Sequence, residues 1–211
     1  MDAQQPVRRR TQRERKEATV TRLLDATIAA IAEAGYAGTS VGEVCARSGV
    51  SRGGLFRHFG SRLDLVVAAA ERVAAHHLEA AADHLAAAPP SDLRAALEWM
   101  RGRHRDRENV VWFELMVAAR TDAALRARLS PVAERFFTDI TRLARRVPAL
   151  DDFPDETLHL LVSSARNLLD GETISRTLVP EPAVEDARLD FLADFAQFLA
   201  VRRTRVSVGG A

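Results

Sequence analysis

The spacing of apolar residues along the chain predicts helices almost throughout. From about residue 15 to residue 34, Val20, Leu24, Ile28 and Ile31 recur every three or four positions, the period of one helix face. Further helices are predicted over residues 61–88, 91–105, 109–120, 121–146, 154–171 and 183–203. The alternation typical of strands is scarce, so the predicted fold class is all-α.

Residues 39–59, with the sequence TSVGEVCARSGVSRGGLFRHF, predict two short helices joined by a tight turn. Ser40 and Glu43 form a capping-box pattern, in which the hydroxyl accepts a backbone amide and the carboxylate reaches back. Gly49 stands where the first helix must end in a residue that can adopt a positive φ. Ser51 is predicted to cap the second helix.

The second short helix is predicted to present basic side chains to solvent. Leu55 and Phe59 face inward, which leaves Arg52, Arg57 and His58 outward. A short helix with an exposed basic face has the dimensions that the major groove of DNA admits.

Charge is unevenly distributed, although the formal net charge is only +1. Residues 1–70 carry 11 Lys and Arg against 7 Asp and Glu, whereas the remainder carries 19 against 22. A polyanion-binding surface is therefore expected at the amino-terminal end. Arg8, Arg9, Arg10 and Arg13 predict a flexible basic arm over residues 1–16. This arm either remains a solvated tail or contacts DNA, at its phosphates or in its minor groove.

Composition argues against several other classes of protein. A single cysteine, Cys45, fits a cytoplasmic location and is expected as a small inward-facing residue. No apolar run is long enough to span a membrane. We find no phosphate-binding loop and no nucleophile elbow, so neither an enzyme nor a cofactor is expected. The spacing of His76, His77, His84 and His104 does not favour a metal site.

Three segments within residues 39–62 carry a resemblance to a known family: T-S-V-x-E-V, A-R-S-G-V-S-R-G and L-F-R-H-F-x-S-R. They resemble the helix-turn-helix of the TetR family of bacterial transcriptional regulators, specifically over residues 17–77. The resemblance implies a homodimeric repressor that binds double-stranded DNA at a palindromic operator and releases it when a small molecule binds the carboxyl-terminal domain. The DNA-binding residues that it implies are Ser40, Val41, Arg52, Gly53, Gly54, Phe56, Arg57, His58 and Arg62.

Within that set, Arg52 and Arg57 are the expected base readers, because arginine bonded to guanine is the commonest specific pairing. Phe56 stands where relatives usually carry Tyr and so lacks a phosphate hydrogen bond. Arg62 matches a Lys that holds the DNA backbone. Gly42 and Gly54 replace longer or polar residues, so fewer direct base contacts are expected.

The predicted domains are the arm at 1–16, a DNA-binding domain at 17–77 and a helical effector-binding and dimerisation domain at 78–203. A disordered tail is predicted at 204–211. A long helix from Ser61 to Ala88 joins the two domains, and it contains no Gly or Pro after Leu63 that could form a hinge.

A small, mainly apolar effector is expected within the carboxyl-terminal domain. The candidate pocket residues are Trp99, Met100, Arg103, Trp112, Met116, Arg120, Phe136, Phe137 and Asn167. Each could equally be part of the core. Arg103, Arg120 and Arg166 could pair with an acidic ligand group or with Glu98, Glu114 and Asp170.

The last two long helices carry wide apolar stripes, which predict a homodimer through a four-helix bundle. The predicted interface residues are Leu158, Leu161, Val162, Ala165, Leu169, Leu192, Phe195 and Leu199. The alternative is a thick monomer core. Two functional alternatives also stay open: a regulator without a ligand, and a ligand-binding scaffold or enzyme with a vestigial basic module.

Overall fold

A computed structural model describes residues 11–208, with side chains described as far as residue 199. The helices are α1 Gln12–Gly38, α2 Val41–Ser48, α3 Arg52–Phe56, α4 Arg62–Ala87, α5 Leu93–His104, α6 Arg107–Ala119, α7 Ala123–Ala144, α8 Asp155–Ser175 and α9 Pro182–Val208, with a 3-10 turn at Pro148–Leu150. The predicted all-α class is confirmed. In this part of the chain, no helix is both long and apolar enough to cross a membrane.

The described residues divide into two compact units. The amino-terminal unit comprises residues up to 72 together with 114–129, and the carboxyl-terminal unit comprises 73–113 and the residues from 130 onward. Helix α4 contributes residues to both units, so the boundary predicted at residue 77 falls inside an unbroken helix.

Helix α1 begins earlier than predicted because a complete capping box starts it. Thr11 Oγ1 accepts from the Glu14 amide at 3.2 Å, and the Glu14 carboxylate accepts from the Thr11 amide at 2.7 Å. The basic arm predicted to reach residue 16 therefore ends before Gln12, and its residues 1–10 lie outside the described part. Gly35, with φ of 71°, breaks the helix where its end was predicted.

The core of the amino-terminal unit joins α1 to the two short helices. Its buried cluster is Leu23, Ala26, Val44, Val50, Leu55 and Leu65. Burying a Leu or Val side chain contributes about 1.5–3 kcal/mol, so this cluster fixes the orientation of α2 and α3. Leu55 is fully buried as predicted, and Cys45 packs against the cluster as a small inward-facing residue.

In the carboxyl-terminal unit, α5 packs against α8 and α9, and α8 packs against α9. Two apolar clusters result, one around Leu97, Leu169 and Leu189 and one around Leu150 and Leu158. A pair of buried carboxylates also ties these helices together. Arg105 Nη2 donates to Glu172 at 2.8 Å and to Glu185 at 2.7 Å.

This packing corrects the predicted dimer interface. Leu158, Leu161, Val162, Ala165, Leu169, Leu192 and Leu199 belong to, or pack against, the clusters inside the unit. Of the predicted interface residues only Phe195 is exposed. Helix α5 therefore covers part of the apolar stripes, while Phe191, Phe195 and Phe198 of α9 stay exposed.

Two predicted helix ends are also wrong. Helix α8 continues through Gly171 to Ser175, because Leu169 and Glu172 on either side are buried by neighbouring helices. Helix α9 extends to Val208, so the disordered tail predicted from Thr204 does not begin there. Residues 209–211 lie outside the described part. Pro131 lies inside α7 without splitting it.

Candidate DNA-binding surface and ligand cavity

The turn between α2 and α3 is built from local backbone bonds. Ser40 Oγ accepts from the Glu43 amide at 3.1 Å, and Ser51 Oγ accepts from the Gly54 amide at 3.1 Å. Gly49 ends α2 in the left-handed region with φ of 66°, as predicted. Each short helix is therefore started by a serine, and the three-residue turn between them begins with a glycine that tolerates positive φ.

The capping box predicted at Ser40 is only half formed. The Glu43 carboxylate accepts from Arg47 Nε at 2.5 Å instead of returning to the Ser40 amide. Arg47 also bonds to Glu33 at 2.6 Å, which ties α2 to α1. An arginine one turn away thus competes successfully for the carboxylate.

Helix α3 presents a basic and aromatic surface over the buried Leu55. Arg52, Gly53, Phe56 and Arg57 are exposed, whereas Gly54 and His58 are half-buried. The Arg52 guanidinium lies 5.7 Å from the centre of the Phe56 ring. Of the residues predicted to face outward, Arg52 and Arg57 are therefore exposed, whereas His58 is half-buried with its Nδ1 atom buried.

Gly54 has a structural reason that the sequence pattern did not reveal. A Cβ atom at this position would lie 2.9 Å from Val50 Cγ1 and 3.2 Å from Ser51 Oγ. Contacts that short force a shift of the turn, so the glycine permits close packing of α3. At Gly53, in contrast, an added Cβ would meet no atom within 4 Å.

Two of the predicted DNA contacts are engaged inside the protein. Arg62 Nε donates to the Thr39 carbonyl at 2.5 Å, a second nitrogen donates to the Tyr36 carbonyl, and the guanidinium lies 4.2 Å from the centre of the Tyr36 ring. Val41 packs against the buried cluster. In this structure Arg62 braces the end of α1, and the phosphate contact implied by the resemblance stays a prediction.

Tyr36 extends this brace to the start of α7. Its hydroxyl donates to Asp122 Oδ2 at 3.0 Å, and burial, reinforced by this bond, raises the pKa of Tyr36. Asp122 in turn caps α7 through the Leu125 amide at 2.9 Å, and that bond lowers the pKa of Asp122. Neither partner of Tyr36 was predicted, because they lie 26 and 86 residues away in sequence.

The carboxyl-terminal unit contains a cavity of about 170 Å³, with walls from α4 to α9. Its lining is mostly apolar and includes an aromatic group. The Trp112 ring lies edge-on to Phe136 at 5.3 Å and to Phe137 at 6.2 Å between ring centres.

Six of the nine predicted pocket residues line this cavity: Trp99, Met100, Arg103, Trp112, Phe136 and Phe137. Met116, Arg120 and Asn167 are not part of its wall, which corrects the prediction. Met116 and Arg120 belong to the amino-terminal unit, and the Asn167 side chain faces solvent. Helical spacing assigns a residue to a face but does not say which neighbour that face meets.

Small residues create the cavity, and these were missed. The lining contains Ala81, Ala96, Ala144, Ala165 and Ala196. Alanines among larger apolar residues leave space when several helices converge. The signal in the sequence was the high alanine content of the predicted helices, which by itself does not distinguish close helix packing from an open cavity.

The polar residues of the wall are few. His77 is 9% exposed, and burial, with the nearby charge of Arg103 adding to it, lowers the pKa of His77 to about 4. The Arg166 guanidinium lies 3.6 Å from the centre of the Phe137 ring, and burial lowers the pKa of Arg166 against the opposing charge of Asp170. His77 is therefore a neutral donor or acceptor near neutral pH, whereas Arg166 remains a cation.

The other histidines have individual partners. His76 Nδ1 lies 2.6 Å from Glu108, His104 Nε2 lies 3.3 Å from Asp170, and His84 stacks on Trp99 with ring centres 4.6 Å apart. Within the described residues, no three His, Cys, Asp or Glu side chains come together in a metal-binding arrangement.

Comparisons with known proteins agree with this geometry. A family model described as bacterial regulatory proteins, tetR family, matches residues 23–69, which contain the α2–α3 pair. The HTH-type transcriptional regulator Rv2912c of Mycobacterium tuberculosis is 40% identical over 185 residues, which cover 87% of this chain and 95% of that protein. The HTH-type transcriptional regulator CymR of Pseudomonas putida is 32% identical over 168 residues, covering 76% and 82%.

Among solved structures, the multidrug binding protein EbrR complexed with imidazole is similar at a TM-score of 0.59 and 26% identity, covering 82% of this chain and 94% of that one. The helix-turn-helix, the exposed basic helix and these relatives define a DNA-binding transcriptional regulator and not an enzyme. The chain belongs to the TetR family of bacterial regulatory proteins.

Proposed function

We propose that this regulator is a homodimeric repressor that leaves a palindromic operator when a small, mainly apolar molecule occupies the cavity. The cavity of about 170 Å³ is the observation that carries the proposal. Protein interiors are close-packed and hold few voids larger than a water molecule. An apolar cavity of roughly 150 Å³ is able to bind benzene, so this one has the size of a small ligand site.

On the DNA side, the proposal assigns base reading to Arg52 and Arg57. Both are exposed on the surface of α3, and the ring of Phe56 beside them can contact a thymine methyl group. Ser40 starts α2, where its hydroxyl and the first amides can meet a phosphate. In a dimer, two α3 helices about 34–36 Å apart would enter successive major grooves of a palindrome.

For the dimer, the proposal uses the outward faces of α8 and α9. Large apolar side chains are exposed there: Leu160, Ile174, Val184, Phe191, Phe195 and Phe198. Extended apolar surface of this kind marks interfaces in soluble proteins. A second copy presenting the same faces would cover it through a two-fold interface.

Release would act by population shift. A ligand that binds one conformation of the dimer more tightly raises its population, and operator affinity falls if that conformation separates the two α3 helices wrongly. Helix α4 runs without a break from Arg62 to Ala87 and is the proposed carrier of the movement.

The DNA-binding part is tested with the double variant Arg52→Ala/Arg57→Ala and the matched control Arg142→Ala, an exposed arginine on α7. The best operator, chosen by selection from genomic fragments, is titrated against each variant by fluorescence anisotropy. Each arginine is expected to contribute about 1–3 kcal/mol of discrimination, so the double variant should bind operator and random duplex almost equally. An unchanged preference would refute the assignment.

The release and dimer parts have their own readouts. A ligand that raises the melting temperature should also lower operator affinity; if no such ligand does, the carboxyl-terminal unit serves only dimerisation or a protein partner. Phe191→Glu/Phe195→Glu should shift the sedimentation coefficient from that of a dimer to that of a monomer. If the variant stays dimeric, the dimer interface lies elsewhere on the protein.

A further inference from the structure

Four nitrogen atoms of cavity-lining side chains are buried without a hydrogen-bond partner among the described residues. They are His77 Nε2, Arg103 Nε, Trp112 Nε1 and Arg166 Nε. Native proteins leave few buried polar atoms unpaired, and each exception calls for an explanation. An acceptor group on a bound molecule would supply what these nitrogens lack.

Three of the four groups surround one pair of rings. Phe136 and Phe137 have ring centres 5.5 Å apart. His77 and Trp112 lie 6.3 and 5.3 Å from Phe136, and Arg166 lies 3.6 Å from Phe137. Three of the four unpaired nitrogens therefore belong to side chains at one end of the cavity.

The charges at this end differ in how far they are neutralised. Arg103 Nη1 lies 2.5 Å from the Asp106 carboxylate, and Asp170 lies 3.3 Å from His104. Arg166 bonds only to the neutral Asn167 side chain, at 3.0 Å, and among the described residues it has no carboxylate within ion-pair distance. Arg166 is thus a half-buried cation on the wall whose charge is not matched by a direct partner.

We propose that the effector is a small monocarboxylate with an apolar body, held through its carboxylate by Arg166. This inference rests on the proposed function, since it takes the cavity to be the effector site. A carboxylate accepts bidentate bonds from a guanidinium and has lone pairs left for Trp112. The apolar walls and the volume of about 170 Å³ fit a body the size of a benzene ring or a short alkyl chain.

Other ligand charges fit less well. A cationic ligand would be repelled by Arg166 and Arg103. A neutral acceptor could bond to the guanidinium but would leave its positive charge uncompensated, whereas a carboxylate adds ion pairing and bidentate geometry. The predicted selectivity is therefore for the anion over its neutral isostere.

The test uses calorimetric titration of the full-length protein with two pairs of probes, benzoate with benzamide and hexanoate with hexanamide. Each carboxylate is expected to bind at least about tenfold more tightly than its amide, as charge-assisted hydrogen bonds imply. Arg166→Gln should remove this preference and leave amide binding within about twofold, while the control Arg142→Gln changes neither. Arg166→Lys keeps the charge and should retain part of the preference.

Equal binding of carboxylate and amide, or no binding of either carboxylate at millimolar concentration, would overturn the inference. A preference for the carboxylates that survives Arg166→Gln would do the same, provided that circular dichroism shows the variant folded. Operator release is measured separately on the same probes. A carboxylate that binds through Arg166 without releasing DNA would support the carboxylate site and refute release, whereas release by the amides alone would support release and refute the carboxylate site.

Discussion

The two units of this protein differ in how completely their interiors are satisfied. Eight buried side-chain nitrogen or oxygen atoms of the described residues lack a hydrogen-bond partner; seven belong to the carboxyl-terminal unit and only His58 Nδ1 belongs to the amino-terminal unit. The cavity also lies in the carboxyl-terminal unit, whereas Leu55 and Val44 beneath the DNA-binding surface are at most 1% exposed.

This difference matches the roles proposed for the two units. A helix that reads bases must hold its side chains in position before DNA arrives, and the serine caps, the turn and the closed core of the amino-terminal unit meet that requirement. A ligand site must instead leave apolar space and unpaired donors that the ligand completes. We therefore expect enlarged side chains to destabilise the amino-terminal unit more than the carboxyl-terminal unit.

The largest effect is expected at His77, on the cavity wall. Its pKa is about 4 in the folded protein against 6.5 in the unfolded chain, so the unfolded chain binds this proton first as pH falls. The free energy of unfolding should therefore decrease between pH 6.5 and about 4, by roughly 3 kcal/mol in total. Urea titrations of the protein and of His77→Gln across this range measure the difference, because other acid-sensitive groups are common to both.

The exposed His159→Gln variant is the matched control and should keep the pH dependence of the unchanged protein. If His77→Gln shows the same decrease as the unchanged protein, His77 is not held neutral by burial.

The same enlargement should destabilise the two interiors to different extents. Ala26→Leu adds three carbons to the closed cluster of the amino-terminal unit and should destabilise by about 1–3 kcal/mol. Ala81→Leu adds them beside a cavity of about 170 Å³ and should cost far less. Thermal unfolding of both variants makes the comparison, and equal losses would show that the cavity wall is as rigid as the closed core.

Replacing a glycine by alanine should also affect the two units differently. Gly35 has φ of 71° and ψ of 173°, and an added Cβ would lie 2.7 Å from Glu114 Oε2, so Gly35→Ala should cost about 1–3 kcal/mol. Gly171 is helical with open space around it, so Gly171→Ala should stabilise by about 1 kcal/mol. The midpoints of denaturant unfolding measure the change in stability of each variant. If Gly35→Ala left the free energy of unfolding unchanged, this turn would relax easily around the added methyl group.

The smallest effect is expected for the brace at the end of α1. Arg62→Met leaves the carbonyls of Tyr36 and Thr39 without their donor and should cost about 1–2 kcal/mol, since the site is only half-buried. Tyr36→Phe, the control, removes only the bond to Asp122 and should cost less. The salt dependence of operator binding should not change in Arg62→Met. If Arg62→Met kept full stability but showed a flatter salt dependence of operator binding, Arg62 would contact a phosphate, as the resemblance implies.

Interactions between residues close in sequence were predictable. The caps at Ser40 and Ser51 and the left-handed turn at Gly49 depend on partners three or four residues away, and each is confirmed. The choice among competing partners was less predictable. Glu43 bonds to Arg47, one helical turn along α2, and Arg62 bonds to carbonyls at the end of α1, which packing brings close.

By itself, the sequence determined the helical class, the helix-turn-helix with its outward arginines and six members of the cavity wall. These follow from periodicity, capping and charge, which act over a few residues. Only the tertiary structure decided that α5 covers part of the stripes of α8 and α9, that five alanines leave a space, and that Arg166 has no ion-pair partner among the described residues. Those outcomes depend on which helices meet, and residues far apart in the chain decide that together.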